Sequence, residues 1–317
     1  MAVGDSKVSI CAGTENMSSA PLSIDGNDAR WGVTLGGGLK MRDSLWDGLT
    51  DSYAQIPMGV TAENLAEKYG IARLECDEFA IRSQQAWGVA KKNGVFDLEI
   101  TPVEIKGRKG TSILDTDEHP RPETTIESLS KLRPVFKKDG VVTAATASGI
   151  CDGAGSIILA TEDAVKEHGF TPLARLVSYQ VSGCDPSMMG IGRLMFLYFR
   201  SSSLFLINKF IITISGPVPA IHGALKRAGL SLADVDRFEI NEAFAAQFLA
   251  CAKELNLDMS KTNIHGGAIS LGHPLGASGS RIVAHLANEF QRSEGNIHVG
   301  AACIGGGQGI AVVLERP

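Results

Sequence analysis

No Cys-x-x-Cys pair occurs in the 317 residues, and Cys11, Cys76, Cys151, Cys184, Cys251 and Cys303 follow no small-scaffold spacing. Neither a zinc site nor a disulfide framework is indicated, and reduced, intracellular chemistry fits the cysteine usage better. Met1-Ala2-Val3-Gly4-Asp5 opens neither an apolar signal core nor an Arg-rich amphipathic stretch, so no targeting segment is visible. Excess positive charge is missing too. Lys and Arg number 30 against 35 Asp and Glu, a net −5 that gives a nucleic-acid partner no electrostatic support. An anionic ligand therefore needs a local basic patch. No clean apolar run reaches the ~18–20 residues of a membrane span. The most apolar stretch, residues 193–216, is broken by Arg200, Ser201 to Ser203, Asn208 and Lys209.

What is present is 44% hydrophobic and 21% charged residues, enough for a large core in one or two domains. Val8 to Gly13 reads as a strand running into a glycine turn. Helices are expected over Ala62–Tyr69 and Glu75–Asn93, each followed by the glycine that ends helices. Phe79, Ala80, Ser83, Ala86, Trp87 and Ala90 give the second a core-facing stripe. Thr124 and Glu127 have capping-box spacing. Ser156–Ala160 reads as a buried strand, Glu162–His168 as a helix and Leu173–Tyr179 as another strand. Helices over Pro217–Ala228, Phe244–Leu255 and Ala277–Phe290 alternate with strands over Val235–Ile240, Ile297–Cys303 and Ile310–Glu315. Such alternation implies layered α/β architecture.

Two glycine-flanked turns near the end carry chemistry: Gly272-His273-Pro274-Leu275-Gly276 and Ala302-Cys303-Ile304-Gly305-Gly306-Gly307. Glycine allows close backbone approach, imidazole titrates near neutrality, and a thiol can be tuned to do so. The pair therefore suits proton transfer. His119, His168, His222, His265, His285 and His298 lack paired glycine turns or carboxylate company and read mostly as surface or helix residues. His265, in a glycine turn ahead of His273, is the exception.

With Asn241-Glu242-Ala243-Phe244 added, these blocks resemble the C-terminal half of a thiolase, in the 3-ketoacyl-CoA branch related to the mitochondrial enzyme. Gly13-Thr14-Glu15-Asn16-Met17-Ser18, Ala147-Ser148-Gly149 and Asp152-Gly153-Ala154 extend the resemblance from about Val8 to Pro317. It implies a five-layered αβαβα fold of two similar halves with an inserted loop domain. The divisions expected are 1–21 and 150–171 for an incomplete N-terminal half, 22–149 for the loop domain covering coenzyme A, and 172–317 for the C-terminal half. Implied function is acyl transfer: thiolytic cleavage of 3-ketoacyl-CoA or the reverse Claisen condensation, as in fatty-acid β-oxidation.

By resemblance His273 activates the acyl-accepting cysteine and lines an oxyanion site, and Asn241 holds a water there. Cys303 moves the α-proton, and the Gly305 amide belongs to the second oxyanion hole. Arg121 and Thr124 match positions at the nucleotide end of coenzyme A, and Ser148 one at the pantetheine. Lys106, Arg108, Lys109, Lys131, Arg133, Lys137 and Lys138 read as a solvated basic face. Coenzyme A and acyl-CoA enter as substrates, with no resident cofactor and no metal. The resemblance also implies a homodimer or homotetramer in the mitochondrial matrix.

Two departures stand out. The segment that carries the acyl-accepting cysteine in thiolases is not found, and Cys11, in a strand, does not take its role. Residues 193–216 interrupt an otherwise continuous match and have the composition of translated non-coding sequence. These features raise a second reading, a catalytically inactive CoA-binding isoform or gene-model fragment, with little turnover expected. A ketoacyl-synthase-like enzyme, the third reading, fits the Cys303-Ile-Gly-Gly-Gly turn poorly.

Overall fold

A computed structural model describes residues 1, 3–33, 35–108, 110–188, 193–194, 211–212 and 216–317. Strand β1 (Val8–Glu15) pairs antiparallel with β6 (Gly153–Ala160), Ile10 opposite Ile158. Between them lie two hairpins, β2–β3 (Leu22–Ile24, Met41–Asp43) and β4–β5 (Val103–Gly107, Gly110–Leu114). The same stretch holds helices α1 (Gly26–Trp31), α2 (Ser44–Gly48), α3 (Met58–Tyr69), α4 (Arg73–Lys92) and α5 (Ile126–Leu129). After α6 (Glu162–His168) comes β7 (Arg175–Gly183), then the short antiparallel pair β8 (Arg193–Leu194) and β9 (Ile211–Ile212). Beyond that pair and Gly216, the expectation for residues 193–216 lies outside the described residues.

The remainder runs α7 (Pro217–Ala228), β10 (Arg237–Ile240), α8 (Ala245–Leu255), α9 (Ala268–Leu271), α10 (Ser278–Arg292), β11 (Ile297–Ile304) and β12 (Gln308–Glu315). Their sheet has the order β10-β11-β12-β7, with β10 and β11 parallel and the other pairs antiparallel. Helix α10 packs between this sheet and β1–β6, while α7 covers the larger sheet's other face. Sheet and helix thus alternate as expected. The reason is visible along α10, which buries Ile282, Leu286 and Phe290 at helical spacing. No described helix is long and apolar enough to cross a membrane.

Helix α8 joins the segment of residues 22–149 to this core. Phe248 stacks on Phe79 of α4 with centroids 4.4 Å apart, and α3 packs alongside. Three expectations are corrected. The cap of α5 is Thr125 with Ser128, one residue after the expected pair, because Thr124 Oγ1 donates instead to the Arg121 carbonyl at 2.6 Å. Strand β6 is not buried on both faces: it alternates, leaving Ile158 67% exposed. His168, His222 and His285 do lie on helices, but the expectation that these histidines lack carboxylate company fails. His285, on α10, is buried with Nδ1 2.9 Å from Glu99 Oε2, and His298 is fully buried.

Candidate functional site

The motifs of the sequence converge on the His273 turn. Gly276 N–H donates to Glu15 Oε2 at 3.1 Å, and a Cβ added to Gly13 would meet the Gly276 carbonyl oxygen at 1.8 Å. Only glycine allows so close an approach of β1 to the turn. From the other side, His273 N–H donates to the Gly149 carbonyl at 3.1 Å, and Gly153 lies against Pro274. Ser148 donates through both its N–H and its Oγ to the Ala243 carbonyl, at 3.0 and 2.9 Å. Four blocks far apart in sequence therefore brace one another around one imidazole.

The tautomer of that imidazole follows from its neighbours. Ser278 Oγ lies 3.0 Å from the Pro274 carbonyl, to which it donates its proton. It can then only accept from His273 Nδ1, 2.6 Å away, so Nδ1 carries the hydrogen. Nε2 keeps its lone pair and faces Asn241 Nδ2 at 3.2 Å. Burial first, and the Arg281 guanidinium second, push the His273 pKa down to about 4. At neutral pH the ring is an uncharged base. Ser278, which sets this state, was not legible in sequence: a serine five residues past a histidine carries no signal until α10 turns it back.

Asn241 directly follows β10, its N–H bonded to the Ala301 carbonyl at 2.8 Å. Its side-chain Oδ1 is buried with no hydrogen-bond partner, a rare condition for a native polar atom. Cys303 lies two residues past Ala301 on β11, at the same end of the parallel pair. Burial pushes its thiol up to about 12, with Cys251 adding a smaller push, so it rests protonated. Among the described residues no hydrogen bond joins Cys303 to His273. Gly305 is exposed in the turn from β11 to β12.

Of the positions expected to bind coenzyme A, Ser148 belongs to this brace, while Arg121 and Thr124 share a turn just after His119, whose ring packs against Gly149. Arg121 donates from Nη1 to the carbonyls of Glu118, His119 and Pro120, and its N–H is held by Gln84. Thr124 is half-buried on the same turn. Lys137 pairs with Glu67, while Lys106 and Arg108 are exposed on the β4–β5 hairpin; Lys109 lies outside the described residues. An apolar cavity of about 280 Å³ opens between β1–β6, α10 and β11–β12, reaching Gly276, Ala302 and Cys11. No described group of three or more His, Cys, Asp or Glu could hold a metal ion.

Comparison with known proteins agrees with the geometry. The profile of the thiolase N-terminal domain matches residues 1–163 and that of the thiolase C-terminal domain residues 207–316. An incomplete N-terminal half is accordingly not borne out. Mitochondrial 3-ketoacyl-CoA thiolase of Bos taurus is 57% identical over 98% of this chain and 72% of its own length. That of Homo sapiens is 55% identical over 99% and 72%. The crystal structure of the human enzyme superposes with a TM-score of 0.89 at 55% identity, covering 99% of this chain and 73% of the other. Bacillus anthracis acetyl-CoA acetyltransferase superposes at 0.88 with 42% identity, over 99% and 73%. The chain belongs to the thiolase family, whose members are acyltransferases.

Proposed function

We propose that this chain carries out thiolase acyl transfer on 3-ketoacyl-CoA through His273, Cys303, Asn241 and the Gly305 amide. In the cleavage direction the bond between the α- and β-carbons breaks and its electrons pass to the α-carbon. Cys303, held as a thiol, supplies the proton the α-carbon then needs. His273, held neutral with Nε2 unprotonated, accepts the proton of a thiol that attacks the β-carbonyl. Asn241 Oδ1, buried and unpaired, accepts one hydrogen of a water, whose other hydrogen faces the developing thioester oxyanion. The amide of Gly305 serves the second oxyanion.

The observation that carries this reading is the His273 ring, hydrogen-bonded through Nδ1 to Ser278 and through Nε2 to Asn241. Nδ1 is spent on orientation, and Nε2, whose lone pair meets only the Asn241 amide, is the nitrogen proposed to take the proton. Arg121, Thr124 and Ser148 are proposed as the coenzyme A contacts, with Nη1 of Arg121 stiffening its turn. The human relative has been solved in complex with CoA, which supports a CoA thioester as substrate. Mitochondrial residence rests on relatives named as mitochondrial, and a homodimer or homotetramer on family membership.

Thiolysis of acetoacetyl-CoA by the chain as given is the test. His273→Ala and Cys303→Ala should each lower kcat by at least about 100-fold, the scale of a lost proton-transfer group. Turnover that survives either substitution unchanged would remove the residue from the mechanism. Binding of CoA with no turnover in the parent chain would favour the non-catalytic reading.

A further inference from the structure

Glu242 stands between Asn241 and Ala243, two residues past the end of β10, and none of its surface is accessible. No Lys or Arg forms an ion pair with it among the described residues. A buried carboxylate without a cation is expensive unless hydrogen bonds saturate it. Here three donors do. Oε2 accepts from Ser83 Oγ at 2.7 Å and from the Ile269 N–H at 3.2 Å. Oε1 accepts from Asn263 Nδ2 at 2.9 Å.

The origin of the donors matters. Ser83 lies on α4, Asn263 in the turn after α8, and Ile269 in the first turn of α9. That helix leads through Gly272 into His273. The fit leaves no slack, because a Cβ on Gly267 would lie 2.4 Å from the Glu242 carboxyl carbon. Ser83 Oγ also receives the Gly267 N–H at 3.1 Å, so the carboxylate and the serine clamp the same backbone. On one side of Glu242 is Asn241. On the other is the start of the segment that delivers the imidazole.

We propose that Glu242 is a positioning residue, its carboxylate setting the approach of Asn241 to Nε2 of His273 by tying β10 to the start of α9. The proposal rests on His273 as the base of the proposed function. Glutamine matches glutamate in shape but turns one acceptor into a donor, which then faces Asn263 Nδ2–H or the Ser83 and Ile269 donors. One end of the clamp must open. The neighbouring charge on His273 is Arg281, which the substitution leaves in place.

The test uses the full chain labelled with 15N-histidine, the His273 signals being assigned by their loss in His273→Gln. In the parent protein His273 should show one protonated and one bare ring nitrogen down to about pH 5. In Glu242→Gln its titration midpoint should rise by about one unit or more as water reaches the loosened ring. Ser83→Ala, which keeps the carboxylate and removes one donor, should shift it the same way by less and covers the case in which Glu242→Gln does not fold. Unchanged His273 signals and midpoint in a folded variant with lowered Tm would overturn the proposal, since a purely structural carboxylate predicts that result. Acyl transfer measured alongside separates the two readings. A fall in kcat with KM near parental supports both; a His273 shift in a protein without turnover keeps the positioning role and rejects the proposed function.

Discussion

The two sheets that flank α10 hold their strands by different means. In the β10-β11-β12-β7 sheet, Phe238, Glu239 and Ile240 are all buried, as are His298 to Ala301 of β11. The β1–β6 pair alternates instead. One face packs on α10, and the other presents Ile10 at 75% exposure beside Ile158 at 67%. Burial on both faces of β10, and of β11 up to Ala301, leaves Asn241 at a packed strand end, with Cys303 two residues beyond Ala301. The one-sided pair contributes differently, by pressing the backbone of Gly13 and the carboxylate of Glu15 onto Gly276. The side chains proposed to react sit at the ends of the doubly covered strands β10 and β11; the other pair braces a turn.

The largest expected break between the regions is by acid. His265, His273 and His298, all in the part built on the larger sheet, have pKa values pushed down to about 4, chiefly by burial. His265 faces His285, Glu289, Arg292 and Glu99; His298 faces Glu289, Arg237 and Asp236; His273 faces Arg281. Each folded-state value lies below the ordinary 6.5, so between about pH 6.5 and 4 the unfolded chain binds the extra proton. Stability present above that window is lost as pH falls, by up to about 1.4 kcal/mol per pH unit for each histidine. Glu99 and Glu289, held low by their histidine and arginine partners against the opposing effect of burial, add a further loss only below about pH 4.5. Urea titrations from pH 7.5 to 4.5 should show the histidine loss, and a flat profile below pH 6.5 would contradict it.

Next in size is Phe248→Ala. The ring is inaccessible and stacks on Phe79, joining α8 to α4. Truncation removes that contact and leaves a cavity, at about 3–5 kcal/mol. Equilibrium unfolding should show the loss, and a cost below about 1 kcal/mol would mean that α4 and α8 are held by something other than this stack.

Much of the architecture was legible because its signals are local. Helices stop at Gly70, Gly169 and Gly229, each left-handed, as the sequence pattern requires. The His273 and Cys303 turns were legible by their glycines and by family resemblance. What was not legible depends on residues distant in the chain. Glu99 and His285 are 186 positions apart, Ser83 and Glu242 are 159 apart, and neither pairing leaves a trace in spacing. The β6 error has the same origin. Ser-Ile-Ile-Leu-Ala reads as buried on both faces, and only the absence of a described neighbour over one face reveals the alternation.

That face supplies the smallest effect and the sharpest control. Ile158→Thr keeps a β-branched side chain, and so the strand preference of its position, while removing apolar area that already meets water. Stability should change by no more than about 0.5 kcal/mol. Ile157, one residue earlier, lines the cavity beside α10, and its truncation to Thr should cost measurably more than that of Ile158. The two substitutions delete the same atoms from adjacent positions on the same strand, so strand propensity and unfolded-state effects nearly cancel in their difference. Equal costs would mean that the outer face of β1–β6 is covered in solution, and the contrast between the doubly covered strands β10 and β11 and a one-sided brace would not survive.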